Sequence, residues 1–323
     1  MYDMMKRKSF YIVVMTLISA ILFVQCTKDE DTNNAEKGTL TVKLTDSPSD
    51  DLNIQGTFVT VADVKIDGKS VEGFNKQTIE ISAYRNGNAK LLFNEDVAAK
   101  SYNQITLVLD QEADASDNSP GCYVLTEDEV KHDLFAETNT SGEITVSKAF
   151  EVSQDAETSV VIDFDLRKAV VRNQEGTSDN HYKFVTSAEL NNAVRAVNED
   201  ESGEVAGEIE NTFGTDAQTY IYIYNKGEFN ASAESAGSGE SNVMFADAVT
   251  SAKVESDGSY KLSFLEEGEY EVHLASYEKT GDNHFSFQGL LNANSTINNL
   301  LLNNISVSAQ SNVKLDIEIL SLL

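Results

Sequence analysis

Asp163 and Asp165 stand two residues apart in the run Val160 to Leu166 (VVIDFDL), and on a strand that spacing places both carboxylates on one face. Such a pair could coordinate calcium, or divide the acid and base roles of a carboxylate-dependent hydrolase. Arg167 and Lys168 follow immediately, so a charge-neutralised, exposed face is the simpler expectation. Asp110, Glu112, Asp114 and Asp117 make a second acidic stretch. Its spacing departs from the D-x-D-x-D-G of a calcium hand, which favours a solvated loop, with weak extracellular calcium binding as the other reading. Tyr220, Tyr222 and Tyr224 alternate along TYIYIY with Ile221 and Ile223 between them. One of those faces must meet a core; if the other is exposed, its rings could stack sugars or dock a protein. The histidines, His132, His181, His273 and His284, are scattered without metal-ligand spacing, and no nucleophile elbow, phosphate loop or dinucleotide fingerprint is present. The expectation is a chain with no catalytic residues, no resident metal and no cofactor.

The elements that must carry these residues are constrained by composition. The chain has 323 residues and a formal charge of −29, from 24 Lys plus Arg against 53 Asp plus Glu. Such a surface repels phosphate backbones, and no segment supplies the basic stripe that nucleic-acid binding needs. A hydrophobic content of 41%, with 12 Tyr and 15 Phe, suffices for packed cores, and the length suits about two domains. Two cysteines and two prolines argue against both a disulfide scaffold and a low-complexity chain.

The N-terminus reads as an export signal. Lys6, Arg7 and Lys8 precede an uncharged run from Phe10 to Val24, followed by Gln25 and Cys26. Fifteen residues of helix span roughly 22 Å, short of the ~30 Å hydrocarbon layer, so a cleaved signal fits better than a spanning helix. Cys26 resembles the lipidated cysteine of bacterial lipoprotein signals, which would carry a diacylglyceryl thioether and an amine-linked acyl chain. The residues after it, Thr27-Lys28-Asp29-Glu30-Asp31, resemble the acidic export tag of surface-exposed Bacteroidota lipoproteins. Residues 1–25 are then signal peptide and 26–36 an acidic tether. Their removal takes away Lys6, Arg7, Lys8 and Asp3, a net +2, and leaves a mature charge of −31. With Cys26 lipidated, Cys122 has no disulfide partner and is expected to be a small buried hydrophobe.

From Lys37 onward short alternating runs recur between turn-forming residues, which marks an all-β chain. Leu40, Val42 and Leu44 share one face, as do Ile105, Leu107 and Leu109. Val59, Val61, Val64 and Ile66 change phase midway, so a β-bulge is expected at Ala62-Asp63. Residues 191–202 interrupt the rhythm and read as a hinge between two β-sandwich domains, 37–190 and 203–323. The small, polar tract Ala231 to Ser241 reads as a flexible loop, and short helices are expected at Glu127 to Leu134 or Ser187 to Val197. Asp257-Gly258 should form a tight hairpin turn, and Gly268 should supply a second positive-φ position.

The opening LTDSP (Leu44 to Pro48), the strand Tyr102 to Asp110 and the Asp163-Phe164-Asp165 strand resemble, in this order, the domain of unknown function 4382, a module of secreted and lipid-anchored prokaryotic proteins. The second half resembles the carboxypeptidase regulatory-like, transthyretin-type sandwich in its strand from Val205 to Ile209, its hairpin Asp257-Gly258-Ser259-Tyr260-Lys261-Leu262 and its strand Gly268 to Val272. These resemblances imply tandem Greek-key sandwiches and an exported address, and bring no reaction. The function expected is that of a non-enzymatic, surface-exposed outer-membrane lipoprotein, held at the membrane through its lipid and acting as a binding or structural module. Glycan or peptide capture for nutrient uptake through the tyrosine row is the alternative, and a hydrolase using Asp163 and Asp165 the minor one.

Overall fold

A computed structural model describes residues 36–135, 142–173, 181–211, 217–279, 285–297 and 300–323. Cys26, the signal and tether, and His284 lie outside the described residues. The first half is built from β1 (Lys37–Ser47), β2 (Ile54–Ile66), β3 (Lys69–Ser70), β4 (Gln77–Glu80), β5 (Lys90–Ala98), β6 (Lys100–Leu109), β7 (Tyr123–Thr126), β8 (Lys131–Asp133), β9 (Glu143–Val152), β10 (Glu157–Asp165), β11 (Val170–Arg172), β12 (Tyr182–Phe184) and β13 (Val194–Asn198). A four-stranded sheet in the order β13-β10-β1-β5 faces a larger sheet, β8-β7-β2-β6-β9, with β3 and β4 also paired to β2. The two sheets enclose Leu40, Val42 and Leu44 from β1, Val160, Ile162 and Phe164 from β10, and Ile105, Leu107 and Leu109 from β6. Period-two alternation is thus honoured on the inner faces. The register of β2 against β6 shifts between Val61 and Asp63, which returns Val64 and Ile66 to the core side; the expected bulge is there.

The second half comprises β14 (Ser202–Asn211), β15 (Gln218–Asn225), β16 (Thr250–Lys253), β17 (Ser259–Glu266), β18 (Gly268–Lys279), β19 (Phe285–Ser295), β20 (Ile305–Val307), β21 (Asn312–Lys314) and β22 (Ile317–Leu322). They run in the order β16-β15-β18-β19-β22-β14-β17, with β20 on β18 and β21 on β14. Val205, Ile221, Ile223, Leu262, Val272 and Ile317 fill this second core. A third apolar cluster, led by Tyr220, Tyr222, Tyr224, Phe245 and Tyr277, takes a partly buried Leu52 from the first half. Residues 37–323 therefore form one compact unit of two packed sandwiches.

Several local expectations change. The 191–202 stretch is no hinge: β13 pairs antiparallel with β10, Val160 opposite Asn198 and Phe164 opposite Val194, and a 3-10 turn at Glu199–Glu201 leads directly into β14. The stretch lacked a turn glycine because it is an edge strand; Arg195 and Glu199 pair with Asp163 and Lys43, while Asp200 and Glu201 stay exposed. Glu127 to Leu134 is the tip and return of the β7-β8 hairpin, with Glu129 at φ 64°, instead of a helix. A helix does cover Ser187–Asn192, started by a capping box in which Thr186 and Glu189 satisfy each other's backbone N–H groups. The tract from Ala231 opens with a helical turn, Ala231–Glu234, capped by Asn230, and its buried Glu234 accepts from Tyr224. Gly258 has φ 87°, as its turn requires, whereas Gly268 is absent from the positive-φ residues and begins β18 in ordinary extended geometry.

Candidate functional site

The residues singled out for chemistry converge on the junction between the sandwiches, but in a different role. β1 and β10 run parallel, with Thr45 opposite Asp163 and Ser47 opposite Asp165, so the ends of the LTDSP and DFD segments lie side by side. The inner face of β10 belongs to the first core. Its outer face, which carries Val161, Asp163 and Asp165, is covered by the second sandwich, and the two carboxylate residues are 3% and 5% exposed. The expected exposed, charge-neutralised face is therefore buried. The neutralisation is real, although Arg195, from the supposed hinge, provides half of it.

Arg195 donates from Nε and Nη2 to Asp163 Oδ2 at 2.9 and 2.7 Å, and from Nη1 to the Phe264 carbonyl at 2.7 Å. Ser47 Oγ donates to Asp163 Oδ1 at 3.1 Å and lies 2.5 Å from Thr250 Oγ1 of the other sandwich. Arg167 pairs with Asp165 through Nη2 at 2.8 Å and donates from Nη1 to the Met244 and Phe245 carbonyls at 2.8 and 2.6 Å. Its guanidinium also lies over the Tyr222 ring, 5.4 Å from the centroid. Lys168 Nζ reaches the Ala248 carbonyl at 2.5 Å; burial lowers its pKa. Three cations of the first sandwich thus plug into backbone carbonyls of the second, with two carboxylates behind them as counter-ions. Charge-assisted bonds of this kind are roughly twice as strong as neutral ones and hold a fixed geometry.

Asp163 and Asp165 are committed to these pairs, which leaves no free carboxylate pair for calcium or for acid and base work. Among the described residues no group of His, Cys, Asp and Glu is arranged to hold a metal ion. The second acidic stretch uses its carboxylates locally. Asp110 accepts from Lys76 and from the backbone N–H groups of Glu112 and Ala113, while Asp114 accepts from those of Ser116 and Asn118. These bonds hold both carboxyls below their usual range.

The tyrosine row is not an exposed platform: Tyr220, Tyr222 and Tyr224 are each 0% exposed. Ile221 and Ile223 face the core of their own sandwich, and the tyrosines face the first sandwich and the 229–248 segment. Tyr220 donates to the Ser49 carbonyl at 2.8 Å, Tyr222 and Tyr277 share a 2.8 Å hydroxyl contact, and Tyr224 donates to buried Glu234 at 2.8 Å. Tyr277 continues to Asp50 at 3.1 Å, and burial raises that carboxyl to about 6. Asp51 next to it receives Arg172 at 2.6 Å and Tyr182 at 3.1 Å. The Ser47 to Leu52 strap is thereby tied to both halves.

Asp46 is more weakly supported. It is 7% exposed, neither carboxylate oxygen makes a well-formed hydrogen bond among the described residues, and the Leu166 backbone N–H offers a weaker one. Burial, with Asp163 and Asp165 close by, holds its pKa well above the ordinary value. Cys122 is buried, donates weakly to the Asp110 carbonyl at 3.5 Å and has its thiol pushed up to about 12 by burial, as suits an inert core residue. His132 is buried within 3.2 Å of Thr126 Oγ1 and in edge contact with His181, and His273 stacks on Phe229 at 3.6 Å; both act as packed side chains. Sequence reasoning missed Arg195, Ser47, Thr250, Asp46 and Asp50. The available signal was Arg167-Lys168 directly after the DFD strand, since two cations beside a half-apolar strand point to buried counter-ions as readily as to solvent.

Fold and site together define an all-β protein of tandem sandwiches joined by a buried ionic seam. Residues 37–185 match the family described as Domain of unknown function (DUF4382), so the first sandwich is a DUF4382 domain. No curated protein matches the chain. Among solved structures, it aligns with the Bacillus anthracis TIE protein at 13% identity, covering 88% of this chain and 34% of that one, TM-score 0.19. It aligns with BcpA, the major pilin subunit of Bacillus cereus, at 11% identity over 88% and 70%, TM-score 0.21. The T-13 major pilin of Streptococcus pyogenes aligns at 10% identity over 88% and 99%, TM-score 0.20. The chain spans about a third of the TIE protein chain. Superpositions of that quality are slight and bear on neither its fold nor its function.

Proposed function

We propose that the chain is a non-enzymatic lipoprotein of a Gram-negative outer membrane, anchored through lipid on Cys26 and exposed at the surface, whose two sandwiches act as one stiff binding or structural element. The second sandwich is of the carboxypeptidase regulatory-like, transthyretin type. The observation that carries this reading is the seam: the residues that looked fit for chemistry are consumed in fixing one sandwich on the other, which is what a spacer or a presenting scaffold needs. The charge adds support. An acidic chain has little electrostatic reason to stay at an anionic membrane surface, and several acyl chains hold it there regardless.

The test is metabolic labelling with an alkyne-tagged fatty acid, combined with protease treatment of intact cells. Wild-type protein should take the label and be cut from outside; Cys26→Ala should lose the label and leave the membrane fraction. Equal labelling of the two would overturn the anchor, and full protection from protease would overturn the surface address.

A further inference from the structure

We propose that Arg167 and Arg195 form a strain-loaded latch. Each holds a phenylalanine of the second sandwich in a left-handed backbone geometry that the residue would otherwise leave, so the seam is stiff while engaged and its release lets both segments relax. The backbone leads to this. Nine residues other than glycine have positive φ among the described residues, and seven of them are Asp, Asn, Glu or Gln. The other two are Phe245 at φ 53° and Phe264 at φ 55°. In that region the Cβ of a bulky residue crowds the backbone, which makes these two the outliers. They lie on separate segments, yet they share one kind of partner. Arg167 Nη1 donates to the Phe245 carbonyl at 2.6 Å, and Arg195 Nη1 donates to the Phe264 carbonyl at 2.7 Å.

Neither segment calls for a left-handed phenylalanine by itself. β17 shifts register against β14 at this point: Leu265 pairs with Gly203 and Leu262 with Val205, and Ser263 and Phe264 are the extra length between them. A bulge that needs positive φ ordinarily places glycine there. With phenylalanine in that position, the carbonyls of both bulge residues turn to Arg195, that of Ser263 at 3.4 Å. Phe245 is buried, its ring stacks on Tyr222 at 4.2 Å, and its N–H donates to the Glu234 carbonyl at 2.9 Å. Ring and N–H are thus fixed while the carbonyl is aimed at Arg167. Behind the carbonyls, Asp165 holds the Arg167 guanidinium and Asp163 that of Arg195. The charge-assisted bonds outweigh the strain in the closed seam, the strain offsets part of them, and it disappears when the seam opens. The latch does not depend on the lipid anchor.

The experiment uses the full chain with isotopically labelled phenylalanine. The intraresidue amide-to-Hα NOE reports φ, because those two protons approach most closely when φ is positive. Phe245 and Phe264 should both give a strong NOE in wild type. Arg195→Lys keeps a cation for Asp163 but lacks the fork that also spans to the carbonyl. In that variant Phe264 should lose its strong NOE while Phe245 keeps it, and Arg167→Lys should do the reverse. Strong NOEs at both residues in both variants would overturn the latch, since the geometry would then be local in origin. Thermal unfolding gives a second measurement. Phe264→Gly and Phe264→Ala remove the same ring, and only glycine is at ease at positive φ. Phe264→Gly should melt about 2 °C above Phe264→Ala, and in the Arg195→Lys background that lead should vanish or reverse. An undiminished lead in that background refutes the proposal. If the lysine variants do not fold, the glycine and alanine pair decides alone: equal melting means that the closed seam carries no strain.

Discussion

Arg167 shows what a single side chain contributes here. Its guanidinium is buried, closes an ion pair with Asp165 and supplies two hydrogen bonds to the opposite sandwich. Removing one partner of a buried pair strands the other charge, which typically costs about 3–5 kcal/mol. Arg167→Met is expected to lower the urea-unfolding free energy by that amount. Lys226, paired with Glu269 in the open at 2.9 Å, is the contrast: Lys226→Met should change stability by less than about 1 kcal/mol. Comparable losses in the two variants would mean that the seam is solvated and that its pairs are worth no more than surface ones.

Elements were legible to different depths. The alternation of β1 and β6, the bulge in β2 and the turn at Gly258 follow from local sterics and from one apolar core, and each reads directly from residue order. The outer face of β10 does not, because alternation reports that a strand has two faces and says nothing about what covers the polar one. The tyrosines of β15 were ambiguous for the same reason: an aromatic row fits solvent, ligand or a second domain equally well, and the packing of Leu52 and Phe245 against it, with Glu234 bonded to Tyr224, decides. β13 was hidden by its composition, since an edge strand whose Arg and Asn residues make specific bonds resembles a linker. Gly258 offers a test at this scale. With φ at 87°, an added Cβ would also lie 2.9 Å from the Ile209 carbonyl, so Gly258→Ala should cost at least about 1 kcal/mol and loosen the β14-β17 pairing beside this turn, which joins two strands that do not pair with each other. An unchanged melting temperature would show that the turn relaxes freely.

At the scale of the molecule the two sandwiches are unequal partners. The second presents a face of Tyr220, Tyr222, Tyr224 and Tyr277 that the Ser47 to Leu52 strap helps to cover. Residues 203–323 expressed alone should therefore bind a hydrophobic dye several-fold more strongly than the full chain while keeping β-type circular dichroism. Dye binding equal to that of the full chain would show that the face closes by itself. The parallel pairing of β1 with β10 carries a consequence for folding order. Ser47 reaches its Asp163 partner across 116 positions and its Thr250 partner across 203, so the first strand of the fold is among the last to complete its contacts. Contacts so distant in sequence slow folding. β1 therefore stays unlocked until most of the chain is available to it, which keeps the N-terminal end of the fold slack while the later strands assemble.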